Sequence, residues 1–138
     1  MAYMIRKVNY CKMTVPSRAG QGVRVLGALK DAGVDLLAFT GFPIGGGKSQ
    51  IDLVALRMAG VQRVARKNKW PLSKTKKAFL VQGTDEVGAA HKVLSRLSSE
   101  NINVVAADGV SAGKGRYGML MWVKPGDYNR AARILNAQ

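Results

Sequence analysis

The segment with the clearest chemical motif is Gly45-Gly46-Gly47-Lys48-Ser49, which resembles the end of a phosphate-binding loop. Such a loop also needs a glycine where this chain has Phe42, and it must lead into a helix. The residues after Ser49 alternate as in a strand instead. We therefore interpret the segment as the basic tip of a hairpin and not as a nucleotide site.

Groups that could perform nucleophilic or metal chemistry are few. The chain has one histidine, His91, one cysteine, Cys11, and eight scattered carboxylates. Their spacing matches neither a metal site nor a nucleophile with its base and orienting group, although folding could still unite distant groups. These absences argue against hydrolase or metal chemistry, and we expect a protein that is not an enzyme and that holds neither a cofactor nor a metal.

The cysteine content and the hydropathy pattern indicate the compartment. Cys11 has no second cysteine with which to form an intramolecular disulfide, which favours a reducing environment. No segment approaches the ~20 apolar residues of a membrane-spanning helix, and the first residues do not form a charged-then-apolar leader. We expect a cytoplasmic protein without a membrane partner.

An internal repeat is the strongest signal of organisation. At an offset of 68 residues Gly20 aligns with Gly88, and the match continues without gaps for some fifty residues. Gly33 aligns with Asn101, and both residue types tolerate the left-handed conformation at a helix end. Chance would not keep turns and apolar periods aligned together, so we predict one structural unit used twice, in residues 1–70 and 71–138.

Within each copy the pattern predicts a strand, a helix, a hairpin and a second helix. Alternation indicates the strands, and apolar residues three or four apart indicate the helices. The predicted strands are residues 8–15, 35–43 and 49–56 in the first copy and 77–82, 103–111 and 117–124 in the second. The predicted helices are residues 20–32, 61–69, 85–99 and 127–136, and Asp85 is the expected N-cap of the helix that it begins.

These elements fall one strand short of a ferredoxin-like βαββαβ unit. Residues 72–76 could supply the fourth strand of the first copy, and by the same offset residues 2–6 could supply that of the second. The predicted fold class is therefore α+β, with two ferredoxin-like βαββαβ units, antiparallel sheets, helices on one face and exchanged edge strands.

Two features of the predicted hairpin strands concern their surroundings. Met119-Leu120-Met121-Trp122-Val123 is apolar on both faces, so the other repeat or another chain should cover its second face, and we expect a homodimer. Asp52 interrupts an otherwise apolar strand. We expect its carboxylate to pair with a nearby Arg or Lys, or to face water.

Both copies resemble ACT domains in the turn after the first strand and in the start of the second strand. The first copy has Val15-Pro16-Ser17-Arg18-Ala19-Gly20 and then Gly33-Val34-Asp35-Leu36. The second has Gly83-Thr84-Asp85-Glu86-Val87-Gly88 and then Asn101-Ile102-Asn103-Val104. The resemblance covers nearly the whole chain. It implies a regulatory protein that binds an amino acid or a similar small effector between two ACT-like repeats, with a separate regulated enzyme as a further partner.

The resemblance also implies where the effector would bind. A glycine at the helix N-terminus would let backbone N–H groups approach a carboxylate, while Asp35 or Asn103 could hold an ammonium group. Two departures from the family pattern could alter a site: the second turn lacks the usual proline, and Asp35 replaces an asparagine. The alternative is that the glycines only form tight turns and that Asp35 lies at a solvated strand end. The implied ligand-binding residues are Ser17, Arg18, Ala19, Gly20, Val34, Asp35, Asp85, Glu86, Val87, Gly88, Ile102 and Asn103.

The charge balance supports a second class of function. Twenty-two Lys and Arg against eight Asp and Glu give a formal charge of +14, which attracts anionic partners. A basic nucleic-acid-binding protein of ferredoxin-like fold is therefore the alternative, although the strands lack the aromatic-glycine pattern of RNA-recognition modules. A basic surface that is merely solvated is the third interpretation. The basic cluster consists of Arg57, Arg63, Arg66, Lys67, Lys69, Lys74, Lys76 and Lys77.

Overall fold

The computed structural model describes residues 3–138, which form two compact units. The first unit is Asn9–Lys76, and the second combines residues 3–8 with Lys77–Gln138. The predicted division of the chain fell after residue 70. The two units depart from it only in the segments that we expected to exchange between the repeats. Residues 71–76 lie with the first unit, and residues 3–8 lie with the second.

The first unit contains three strands and two helices in the predicted order. Its strands lie in the order β2, β3, β1, and both pairings are antiparallel. The elements are β1 (Tyr3–Pro16, of which residues 9–16 belong here), α1 (Gln21–Asp31), β2 (Leu36–Gly45), β3 (Lys48–Ala55) and α2 (Met58–Asn68).

One apolar core holds the first unit together. Alternate residues of β1, Cys11 and Met13, enter the same buried cluster as Val25 of α1 and Val61 of α2. Because alternate residues of a strand point to opposite faces, both helices pack on the same face of this sheet. That arrangement confirms the predicted placement of the helices.

The second unit repeats this plan. It contains residues 3–8 of β1 and orders its strands β1, β4, β6, β5, with antiparallel pairing of β6 to β4 and to β5. Its further elements are β4 (Lys76–Thr84), α3 (Ala89–Ser98), β5 (Val104–Gly113), β6 (Arg116–Val123), a 3₁₀ turn (Pro125–Asp127) and α4 (Tyr128–Leu135).

The core of the second unit includes a residue from the N-terminal segment. Ile5 is 3% exposed and joins the cluster formed by Phe79, Val93, Met121 and others. The Phe79 ring stacks on a tyrosine of α4, with 4.5 Å between ring centroids. Both faces of β6 are buried, as its apolar sequence predicts, because Leu120 is only 4% exposed on the face opposite Met121.

Each exchanged segment is fixed by hydrogen bonds within its unit. The Ser73 N–H donates to the Lys12 carbonyl at 2.8 Å, and the Lys12 N–H donates to the Ser73 hydroxyl at 2.9 Å. Because a side chain takes this second bond, residues 72–75 follow β1 without forming the regular strand that we predicted. In the second unit, residues 3–6 lie in β1 beside β4 as expected, while Ala2 of the predicted strand lies outside the described residues.

Helix ends follow the predicted turn chemistry. Gly33 and Asn101 both adopt positive φ, at 71° and 59°, where α1 and α3 end. The second helix of each unit ends on a left-handed residue as well, at Lys69 and Asn136. No helix in residues 3–138 is both long and apolar enough to cross a membrane.

Candidate functional site

The turn between β1 and α1 forms a tight corner. Gly20 caps the helix with φ 91°, and no side chain accepts a hydrogen bond from the helix N-terminus. The Ser17 N–H donates to the Gly47 carbonyl at 2.8 Å, and the Ser49 hydroxyl donates to the Ser17 hydroxyl at 2.9 Å. The turn is therefore tied to the β2–β3 hairpin. The Gln21 N–H donates to the Arg18 carbonyl at 3.4 Å, while the Gly22 and Val23 N–H groups of α1 have no acceptor among residues 3–138 and remain available to a ligand.

The second unit builds the same corner with different side chains. Gly88 caps α3 with φ 81°, again without a side-chain hydrogen bond. The Asp85 N–H donates to the Gly115 carbonyl at 2.8 Å, which repeats the bond from Ser17 to Gly47 at the repeat offset. The prediction that Asp85 is the N-cap is wrong, because α3 begins four residues later and the Asp85 carboxylate accepts a hydrogen bond from Ser111 instead.

An open cavity of about 360 Å³ lies at the corner of the first unit. It is enclosed by the end of β1, the turn, the first residues of α1, the far half of β2 and the first half of β3. Its volume suits a small metabolite, since ligand pockets typically measure ~300–1,000 Å³. It is lined by Val15, Pro16, Ser17, Arg18, Gln21, Gly22, Gly41, Phe42, Pro43, Ser49 and Ile51.

The second unit has an equivalent cavity of about 390 Å³. Its wall contains two carboxylates, and one of them, Glu86, accepts a 2.9 Å hydrogen bond from the Lys92 ammonium. This bond and the negative charge of Glu86 raise the pKa of Lys92 above its usual value. The cavity is lined by Asp85, Glu86, Gly88, Ala89, Ala90, His91, Gly109, Val110, Ser111 and Tyr117.

Tyr117 distinguishes the wall of the second cavity. Its counterpart in the first cavity is Ser49, a small half-buried residue, whereas Tyr117 is 8% exposed. Its hydroxyl is buried without a hydrogen-bond partner among the described residues. Burial, with smaller contributions from Tyr3 and Glu86, raises the pKa of Tyr117, so the phenol stays neutral at physiological pH.

The structure places the predicted turn residues at these cavities. Ser17 and Arg18 line the first cavity, with Ala19 exposed in the turn and Gly20 at the helix cap. In the second unit, Val87 is fully exposed on the same turn. Three of the predicted residues line the second cavity: Asp85, Glu86 and Gly88.

The predicted strand-start residues lie elsewhere in the same unit. Val34 and Asp35 precede β2, and Asp35 lies six residues before Gly41, the nearest cavity residue of that strand, or about 20 Å along an extended chain. Ile102 is 3% exposed, belongs to the second core and donates its N–H to the Leu97 carbonyl at 2.9 Å, while Asn103 is exposed. Within one unit the fold therefore does not bring the turn and the strand start together.

Residues from the middle of β2 and β5 line the cavities but were not among the predicted ligand-binding residues. Gly41 and Phe42 line the first cavity, and Gly109 and Val110 line the second. The glycine recurs at both positions of the repeat, inside a strand in each case. A glycine within a strand often marks a close approach by a ligand or a backbone, so this duplication could have identified the cavity wall.

The basic cluster is exposed, and its cations lack acidic neighbours. All eight residues defined above are exposed, and none of them forms an ion pair within the described chain. The Lys77 ammonium lies 5.6 Å from the centre of the Tyr128 ring, a cation–π distance. The first unit carries twelve Lys and Arg against three Asp, which concentrates positive potential on it.

Comparisons with known proteins identify the fold. Neither a scan against protein-family models nor a search of curated proteins gives a match. Protein BT0572 from Bacteroides thetaiotaomicron has a TM-score of 0.79 at 13% identity, covering 97% of this chain and 88% of that one. The regulatory subunit of aspartate kinase from Thermus thermophilus has a TM-score of 0.66 at 10% identity, and that from Thermus flavus 0.61 at 14%, each covering 99% of this chain and 95% of theirs. The predicted fold of two ACT-like units is confirmed.

Proposed function

We propose that this protein is a regulatory protein that binds a small effector of the amino-acid class at the helix N-terminus corners and catalyses no reaction itself. One observation carries the proposal: the corner and its open cavity recur in both units with the same backbone hydrogen bond. The likeness in fold to aspartate kinase regulatory subunits supports a regulatory role, exerted on a separate enzyme.

The proposed binding mode follows from the donors at the corner. An effector carboxylate would accept hydrogen bonds from the Gly22 and Val23 N–H groups in the first turn of α1, where the helix dipole favours negative charge. Gly20 permits this approach, because its φ of 91° turns the chain into the helix and no atom lies within 4 Å of its missing side chain. The ammonium group of an amino acid would then need an acceptor on the open side of the cavity.

A second copy of the chain would supply that acceptor. β2 has a neighbour on one side only, and its exposed residues include Phe39, Phe42 and Ile44. Antiparallel pairing of two such edges about a two-fold axis would place Asp35 of one copy beside the corner of the other. This homodimer would unite the turn and the strand start, which one unit keeps apart.

Calorimetric titration with the twenty amino acids, preceded by a thermal-shift screen, tests effector binding. A ligand at 100 times its Kd stabilises the native state by about 2.7 kcal/mol, or on the order of 8 °C for a chain of this size. Gly20→Ala should abolish binding at the first cavity, because an alanine is strained at that φ and displaces the donors. The matched control is Gly27→Ala, also in open space but inside α1, which should bind normally. Absence of binding by every amino acid would contradict the proposal.

Sedimentation of the purified chain tests the dimer separately. Phe39→Lys places a charge on the exposed edge of β2 and should convert a dimer to a monomer with weakened effector binding. Leu56→Lys changes a residue that is 70% exposed outside the strands and should leave the dimer intact. A wild-type monomer that binds effector fully would refute the shared site.

Nucleic-acid binding is the second candidate, and the unpaired basic cluster favours it. The candidate rests on phosphate contacts by this cluster, and two of the strand aromatics, Phe79 and Tyr117, are buried in the core and cannot stack on bases. A gel-shift titration at 50 and 200 mM salt tests it. Binding that weakens about 1,000-fold over this range would support six or more phosphate contacts. Binding that is weak and varies little with salt would exclude this function.

A further inference from the structure

The two cavities share their backbone but differ in charge. At the repeat offset, Arg18 of the first cavity corresponds to Glu86 of the second, and Ser17 corresponds to Asp85. No Asp or Glu lines the first cavity, whereas two line the second. One scaffold therefore presents a cationic wall in one unit and an acidic wall in the other.

The cationic groups of the first cavity are available to a ligand. The Arg18 guanidinium makes no hydrogen bond or ion pair with any residue from 3 to 138. The side-chain amide oxygen of Gln21 accepts hydrogen bonds from the Arg24 guanidinium at 2.9 and 3.3 Å, which leaves the side-chain N–H groups of Gln21 available to a ligand. The buried carboxylate of the first unit, Asp52, is occupied by two donors and does not line the cavity.

The acidic groups of the second cavity are only half neutralised. Lys92 pairs with Glu86, and both side chains remain exposed, so solvent weakens the pair. Asp85 accepts one hydrogen bond from the Ser111 hydroxyl at 2.7 Å and has no cation within 4 Å among the described residues. A negatively charged ligand group entering here would meet an unpaired carboxylate.

We propose that the first cavity selects a ligand with two anionic groups and that the second cavity does not accept it. This inference rests on the effector-binding function proposed above. One anionic group lies on the N–H groups of α1, and the other pairs with Arg18. The second group is a carboxylate or a phosphate, because a guanidinium binds either with parallel hydrogen bonds. The ligand is therefore a dicarboxylic amino acid or a phosphorylated one.

Calorimetry on the full chain distinguishes these ligands. The titrants are aspartate, glutamate and O-phosphoserine, and their analogues with a neutral side chain are asparagine, glutamine and serine. A ligand with two anionic groups should bind at least 10-fold more tightly than its analogue with a neutral side chain. The stoichiometry should be one ligand per chain. Loss of a charge-assisted hydrogen bond in Arg18→Gln should weaken it about 10- to 100-fold and leave the analogue unchanged. The aspartate and phosphoserine arms show which group the site prefers, and preference for either supports the inference.

The control removes the same charge from the same unit. Arg63 is exposed on α2 and does not line the cavity, so Arg63→Gln should change each affinity less than two-fold. An equal loss in both variants, or two ligands per chain, would overturn the inference. Tight binding of amino acids with a neutral side chain, unchanged in Arg18→Gln, would overturn the inference and leave the proposed function standing. Absence of binding by every titrant would overturn both.

Discussion

Replacing Ile5 by alanine should destabilise the second unit, although the repeat places residue 5 in the first copy. Ile5 is 3% exposed and packs in the core that contains Phe79 and Met121. The substitution removes three buried carbon groups, worth about 2.4 kcal/mol at ~0.8 kcal/mol each. The cavity left behind raises the expected loss of unfolding free energy to about 2.5–4 kcal/mol.

Urea unfolding followed by tryptophan fluorescence can assign this loss to one unit. Trp122 lies in the second unit and Trp70 in the first, so Trp70→Phe leaves a probe of the second unit alone. In that background Ile5→Ala should lower the transition midpoint of Trp122, while Met4→Ala, at a residue 50% exposed, should change it little. Equal effects of the two substitutions would refute the position of residue 5 in the second core.

Three further predictions concern buried polar groups. Asp52→Ala should cost about 2–3 kcal/mol of unfolding free energy, because the carboxylate accepts bonds from Thr40 at 2.6 Å and Gln50 at 3.0 Å, whereas Asp31→Ala at an exposed site should stay within about 0.5 kcal/mol; urea melts that show equal losses would contradict this. Burial raises the pKa of Tyr128 to about 12, so the folded state holds its proton longer and stability should fall as the pH rises from about 10 to 12; this slope should become shallower in Tyr128→Phe, and a slope unchanged in that variant would assign it to other groups such as Tyr117. Burial also raises the pKa of the Cys11 thiol, which is 0% exposed, so a disulfide reagent should react with it only as fast as the protein unfolds; rapid labelling of the native protein would show that the thiol is accessible.

Local patterns predicted most of the fold. Alternation located the strands of both units, and α1 and α3 end just before Gly33 and Asn101, which adopt the positive φ that their residue types tolerate. The repeat offset predicted that residues 3–6 form an outer strand of the second unit. No local sequence pattern indicates this position. Residues 72–75 failed to form a strand because the Ser73 hydroxyl, and not its carbonyl, accepts the Lys12 N–H. That competition between side chain and backbone has no signature in the sequence period.

The candidate site was less predictable, because distant strands build it. Gly41 reaches the first cavity through its pairing opposite Ile51, a register that neither residue specifies by type. Asp52 failed both sequence expectations, since its carboxylate is 4% exposed and bonds to Thr40 and Gln50 instead of pairing with a cation or facing water. In each case the partner comes from cross-strand pairing, which local periodicity does not determine.

The exchanged N-terminal segment affects how the chain can be divided and how it folds. Residues 3–8 leave the ribosome long before their partners, and one of their hydrogen bonds, from Arg96 to the Tyr3 hydroxyl, joins residues 93 positions apart. Until residue 77 and its successors are made, Ile5 has no core in which to be buried, and contacts of such long range slow folding. Cutting the chain after residue 70 would separate residues 71–76 from the first unit and residues 3–8 from the second. A permuted chain that carries residues 3–8 after residue 138 would keep the second unit whole.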